Sequence, residues 1–213
     1  QLFVNLYAAN KSEFNFKGQN VEVSQKTNYP WDGKIELEIN SEQELEFELA
    51  LRIPGWCKKA ALQLNGKNIN LPENIENGYV KLKRNWQNDK INLILKMPVE
   101  KIYANPQVRE DIDKVSLQRG PVVYALEEVD NGKNLPAIYL ADDAQIEAEY
   151  KNDLLGGVTV LTGPAYKLDE TSFGESLYST QKPEFKKINI QAVPYYAWDN
   201  RESGEMLVWL NQK

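Results

Sequence analysis

The chain has 213 residues, a formal net charge of -6, one cysteine and no histidine. The acidic balance disfavours nucleic acid or an anionic membrane as partner, because neither would be neutralised. The missing histidine and the single thiol exclude an internal disulfide, a Ser-His-Asp or Cys-His catalytic set, and a zinc site built from Cys and His.

Hydrophobic residues at 42% and charged residues at 26% are those of a folded globular protein rather than a disordered one. No apolar run approaches the roughly 20 residues that cross a bilayer as a helix. The opening QLFVNLYAAN lacks an initiator Met and a basic leader, so the sequence reads as part of a longer polypeptide.

Taken in order, short stretches alternate apolar and polar residues with period two, the mark of half-buried strands. Leu2 to Tyr7 reads as either a first short strand or the tail of an upstream element. Val21 and Val23 alternate with Glu22 and Ser24 after a turn at Lys17-Gly18-Gln19-Asn20. Tyr29-Pro30-Trp31-Asp32-Gly33 is a loop. Lys34 to Asn40 turns Ile35, Leu37 and Ile39 inward, and Ser41 to Glu44 reads as a tight polar connection.

The next stretch has the strongest pattern. Leu45, Phe47, Leu49, Leu51 and Ile53 alternate with Glu46, Glu48, Ala50 and Arg52, until Pro54-Gly55 stops the strand. Leu62 and Leu64 precede an Asn65-Gly66 hairpin turn. Gly78 to Lys83 and Asp89 to Met97 are two further strands. Pro98 to Pro106 breaks the rhythm and predicts a boundary that divides the chain into residues 1–103 and 104–213.

Beyond it, strands are expected around Val115 and Leu117, and at Val122 to Leu126, Ala137 to Leu140, Gln145 to Tyr150, Val158 to Leu161, Phe185 to Val193 and Glu205 to Leu210. Ala141 to Ala148 can form a short helix. Gly163 to Glu184 reads as a long loop, of the kind that is functional or mobile. The fold class is all-β: two consecutive antiparallel β-sandwich domains.

Few residues carry chemistry. Asp111/Asp113 and Asp142/Asp143 are the tight acidic pairs off the strand faces. With 31 Asp and Glu, some pair meets the spacing of about 5–10 Å used in glycoside hydrolysis by chance. Cys57 is either a small buried hydrophobe beside Trp56 or a reactive thiol. Trp31, Trp56, Trp86, Trp198 and Trp209 serve as core plugs or as stacking platforms for sugars. The richest cluster is Tyr195, Tyr196 and Trp198 with Asn200 and Arg201. With Trp31, these are the candidates for a carbohydrate or interdomain contact.

The ordered motifs YPWDG (29–33), LRIPGW (51–56), LNG (64–66), GYVKLKRNW (78–86), ANPQV (104–108), LQRGPVVYALE (117–127) and PYYAWDNRESGEMLVW (194–209) resemble the C-terminal part of the β-L-arabinofuranosidases of glycoside hydrolase family 127. The resemblance implies an (α/α)6 barrel upstream, followed by two β-sandwiches. It implies retaining hydrolysis by a cysteine nucleophile and a glutamate acid/base, with zinc held by three cysteines and a glutamate. All of these lie in the barrel. One cysteine cannot supply three thiolates, so no catalytic residue, zinc ligand or other cofactor is carried onto this chain. The parent enzyme implied is bacterial and acts on plant glycans, with a periplasmic or extracellular location open. The partners expected are the upstream barrel, with a homodimer and an oligosaccharide as further candidates.

Overall fold

A computed structural model describes residues 1–71 and 75–213. The chain divides into two units, Gln1–Pro98 and Val99–Lys213. Nearly all of its regular structure is strand, and no helix among the described residues is long and apolar enough to cross a membrane.

In the first unit the strands are β1 (Leu2–Val4), β2 (Asn10–Phe16), β3 (Gln19–Thr27), β4 (Lys34–Arg52), β5 (Ala60–Leu64), β6 (Lys67–Ile69) and β7 (Tyr79–Leu95). Their order is β2-β3-β4-β7-β5-β6. β1 adds to β4 in parallel, pairing Leu2 with Leu49, whereas the other pairings are antiparallel. The sequence missed β2, because Asn10–Phe16 is mostly polar and exposed. The β2–β3 turn is confined to Lys17 and Gly18, both at positive φ.

The polar segment Ser41–Glu44 is not a connection. β4 runs through it for 19 residues, and β7 runs for 17 beside it. From Asn40 to Leu45 β4 advances five positions, while β7 advances two, from Asn88 to Trp86. Such a bulge bends the pair and re-aims its side chains. On β4 the buried parity stays odd, with Ile35, Leu37 and Ile39 before the bulge and Leu45, Phe47, Leu49 and Leu51 after it. On β7 it switches, from Leu93, Ile91 and Asp89 to Trp86 and Val80. The bulge's polar groups are taken up locally: Ser41 Oγ donates to Gln43 O at 2.8 Å, and Gln87 Nε2 to Glu42 O at 3.1 Å.

Inward residues from both sides of the bulge join one core around the fully buried Trp86. Its indole N–H donates to Phe47 O at 2.9 Å, and its ring stacks on Phe47 with centroids 5.7 Å apart. Gly33 precedes β4 where the backbone of Leu95 presses against it. A Cβ at Gly33 would lie 1.9 Å from Leu95 O, and Leu95 N donates to Gly33 O at 2.8 Å.

The second unit holds β8 (Val99–Tyr103), β9 (Lys114–Arg119), β10 (Val122–Glu127), a one-turn helix α1 (Glu128–Asn131), β11 (Ile138–Leu140), β12 (Glu147–Lys151), β13 (Val158–Leu168), β14 (Phe185–Pro194), β15 (Met206–Leu207) and β16 (Leu210–Gln212). The strand order is β15-β10-β14-β13-β11-β16-β9-β8, and β9 also pairs with β10. The pairings of β10, β14, β13, β11, β16 and β9 therefore form a closed circuit around a core of Val115, Leu117, Leu126, Ile138, Leu140, Leu161 and Leu210. β11 and β16 are parallel.

Three readings change here. Residues 99–103, placed with the first domain by sequence, form β8 and pair with β9 of the second unit. The proposed 163–184 loop begins later, because β13 continues to Leu168 and pairs with β14 down to Leu168 opposite Phe185. Gly163 is not a breaker but a strand glycine under close contact, where a Cβ would lie 2.7 Å from Gln145 O. Ala141 to Ala148 forms a turn, with Ala144 N bonded to Ala141 O at 3.1 Å, and then enters β12, so no helix forms.

Candidate functional site

The aromatic cluster picked out by sequence lies just after β14, in the second unit. Pro194 ends that strand, and Tyr195–Ala197 make a single 3-10 turn. Tyr195 and Tyr196 are about half exposed, and Ala197 between them and Trp198 is buried. The Tyr195 and Trp198 rings lie 6.3 Å apart with their planes tilted by 39°. Together they form an aromatic ledge at the surface of this unit.

Asn200 and Arg201 do not extend that ledge. Their side chains hold the loop beneath it. Asn200 Nδ2 donates to Ala197 O and Trp198 O, both at 3.1 Å. The Arg201 guanidinium is clasped by two carboxylates from the end of β10 and from α1. Nε reaches Glu127 Oε2 at 3.1 Å, Nη1 reaches Asp130 Oδ1 at 2.9 Å, and Nη2 touches both Glu127 and Asp130. The side chains of Arg201 and Glu127 are only 16% and 7% accessible. Burial opposes the charge on Arg201, but its bonds to Asp130 and Glu127 outweigh this and push its pKa further up.

The other oxygen of Glu127 accepts from Asp199 N at 3.1 Å, where the backbone turns through φ 61°. The clasp tightens further through Glu205: its carboxylate accepts from Leu135 N, and its own N–H donates to Glu128 Oε2 at 3.0 Å. Sequence reasoning passed over Glu127 and Asp130. The signal was present as acidic residues closing an apolar strand, but their partner lies more than seventy positions away in the sequence.

Trp31 lies in the first unit and is about half exposed. The loop that carries it is closed by Trp31 N bonding to Asn28 O at 2.9 Å. The acidic pairs resolve into loop contacts: Asp113 O accepts from Gln212 N, and the Asp142 carboxylate meets the Gln212 amide. Among the described residues, no group of three or more His, Cys, Asp or Glu side chains could hold a metal ion. Cys57 is half-buried, with Sγ 3.3 Å from Lys59 O, and burial pushes its thiol pKa up. This is the environment of an unreactive thiol.

A groove of about 570 Å³ lies under the loop after β13, lined by Asn134, Leu168, Asp169, Phe173, Leu177 and Pro183. Asp169 lines the groove, and its carboxyl pKa is shifted. Lys186 Nζ at 2.8 Å, with Thr171 N and Oγ1 at 3.0 and 2.8 Å, holds that pKa down at about 2. A group so placed stays ionised at neutral pH and is unsuited to act as a general acid.

Comparison with known proteins follows the same division of the sequence. Residues 1–97 match the β-L-arabinofuranosidase GH127 middle domain, and residues 99–211 match the glycoside hydrolase family 127 C-terminal domain. A non-reducing end β-L-arabinofuranosidase of Bifidobacterium longum subsp. longum is 36% identical over 95% of this chain, which spans 32% of that protein. The crystal structure of a GH127 β-L-arabinofuranosidase from Geobacillus stearothermophilus T6 superposes with a TM-score of 0.95 at 47% identity, over 99% of this chain and 33% of its own. A second solved GH127 β-arabinofuranosidase gives 0.87 at 30% identity, over 99% of this chain and 34% of its own.

The two β-sheet units are thus of the kind that form part of glycoside hydrolases. This chain belongs to glycoside hydrolase family 127, as its middle and C-terminal domains. It spans about a third of the length of the relatives it matches.

Proposed function

We propose that the chain is the non-catalytic β-sheet region of a β-L-arabinofuranosidase, bracing a catalytic domain carried elsewhere in the same polypeptide. The observation that carries this reading is the unbroken match of both units to the family's middle and C-terminal domains. Residue chemistry supports it. One cysteine and no histidine cannot build a thiolate-rich metal centre, and Cys57 is set in a thiol-preserving environment. The test is hydrolysis of a chromogenic β-L-arabinofuranoside by this chain alone, beside a full-length family member as positive control. The chain alone gives no turnover; zinc-dependent turnover from it would overturn the reading.

A second reading is favoured by the ledge. Tyr195 and Tyr196 are about half exposed beside Trp198, and aromatic rings suit the C–H face of a sugar, on a loop already held by Arg201 and Asn200. In this reading the ledge binds arabinose-containing oligosaccharide. Titration calorimetry with arabino-oligosaccharides gives heat that the Trp198→Ala variant loses. No heat at millimolar ligand retires the reading and leaves the ledge as a protein-contact surface.

A further inference from the structure

The chain has three Asn-Gly steps, Asn65-Gly66, Asn77-Gly78 and Asn131-Gly132. An asparagine before glycine can lose its side-chain amide, because glycine has no Cβ to hinder its own N–H from reaching the asparagine carboxamide. Whether a given step reacts depends on how firmly the side chain is held. The structure separates the three steps sharply.

Asn65 is held at both ends of its amide. Nδ2 donates to Asp89 Oδ1 at 2.7 Å, and Oδ1 accepts from Lys90 N at 2.8 Å. Asn131 is held more tightly still. Nδ2 donates to Glu127 O and Gln191 O, both at 2.9 Å, and Oδ1 accepts from Gln191 N at 3.0 Å. The nucleophile of that step is also engaged, since Gly132 N donates to Glu128 O at 2.7 Å. Asn77 differs. It is exposed, sits at φ 52° just before β7, and its side chain has no hydrogen-bond partner among the described residues.

We propose that Asn77 is the site of spontaneous deamidation in this protein, while Asn65 and Asn131 are protected. The Gly78 nitrogen attacks Asn77 Cγ and forms a C–N bond. The Cγ–Nδ2 bond breaks, and ammonia leaves with the proton given up by Gly78. Water then opens the five-membered imide at either carbonyl, giving aspartate or isoaspartate. The net change is addition of water and loss of ammonia, with no oxidant or reductant. The isoaspartate product carries one extra backbone methylene beside Gly78, whose carbonyl accepts the Ile53 N–H at 2.7 Å where β4 ends.

The test is incubation of the folded protein at mildly alkaline pH and physiological temperature, followed by peptide mapping with mass spectrometry. The Asn77 peptide acquires the amide-to-acid mass gain about thirtyfold faster than the Asn65 and Asn131 peptides, the factor set by breaking about two hydrogen bonds. In denaturant all three react at comparable rates. Asn65 or Asn131 keeping pace in the folded protein overturns the proposal. So does an Asn77 that stays intact when folded yet reacts when unfolded. The Asn77→Gln variant removes the fast-forming acidic species, and its persistence would likewise refute the assignment.

Discussion

Replacing Arg201 by Met removes the cation that the end of β10 and α1 are built around. Glu127 then keeps a carboxylate that is 7% accessible, with Asp199 N–H still bonded to it and no counter-charge. Breaking one side of a buried pair costs about 3–5 kcal/mol, because an uncompensated charge is left behind. An exposed pair would cost no more than about 1 kcal/mol. Arg201→Lys is intermediate, since it keeps the charge but loses the fork that reaches both carboxylates. Pairing Arg201→Met with Glu127→Gln recovers part of the loss, because the buried charge goes with its partner. The assay is urea unfolding with the denaturant slope checked for constancy, so that a shifted midpoint reports stability. A loss below about 1 kcal/mol for Arg201→Met, or no recovery in the double variant, would refute the account of the clasp.

Gly33→Ala forces a Cβ to within 1.9 Å of Leu95 O and costs about 1–3 kcal/mol or more, read as a lowered urea midpoint. Trp86→Ala empties the centre of the first core and removes the donor to Phe47 O, costing about 3–5 kcal/mol in the same assay. Burial raises the Tyr124 pKa from 10.0 to about 12. A raised folded-state value means that this residue's contribution is complete below pH 10.0 and is lost as pH rises towards about 12. Spectrophotometric titration should show delayed phenolate formation together with falling stability in that window.

The strands with the strongest period-two pattern were legible without coordinates. Ile35 to Ile39 and Leu45 to Ile53 are buried on the parity their alternation demanded. What local sequence could not show was that these runs are one strand. Ser41–Glu44 has the composition of a turn, and only a partner strand that also continues, with Gln87 bonding to Glu42 O, makes it a bulge. β2 was missed because an edge strand with few apolar residues has no period to read. β8 falls on the far side of the boundary that its sequence suggests, because pairing with β9 is not encoded in its own five residues. In the candidate site the aromatic residues were visible, since Tyr195, Tyr196 and Trp198 stand together in sequence. The division of labour was not. Arg201 reads as a ligand-contacting cation until Glu127 and Asp130 are brought to it across the fold.

The unbroken β4–β7 ribbon sets how the first unit comes apart. Its two backbones are rails common to the parts of the sheet before and after the bulge. Loss of pairing on one side of the bulge therefore removes support from the strands they share on the other side. A proteolytic nick between Ser41 and Glu44 would do more damage than its surface position suggests, severing the one rail on which β1 and β3 are both mounted.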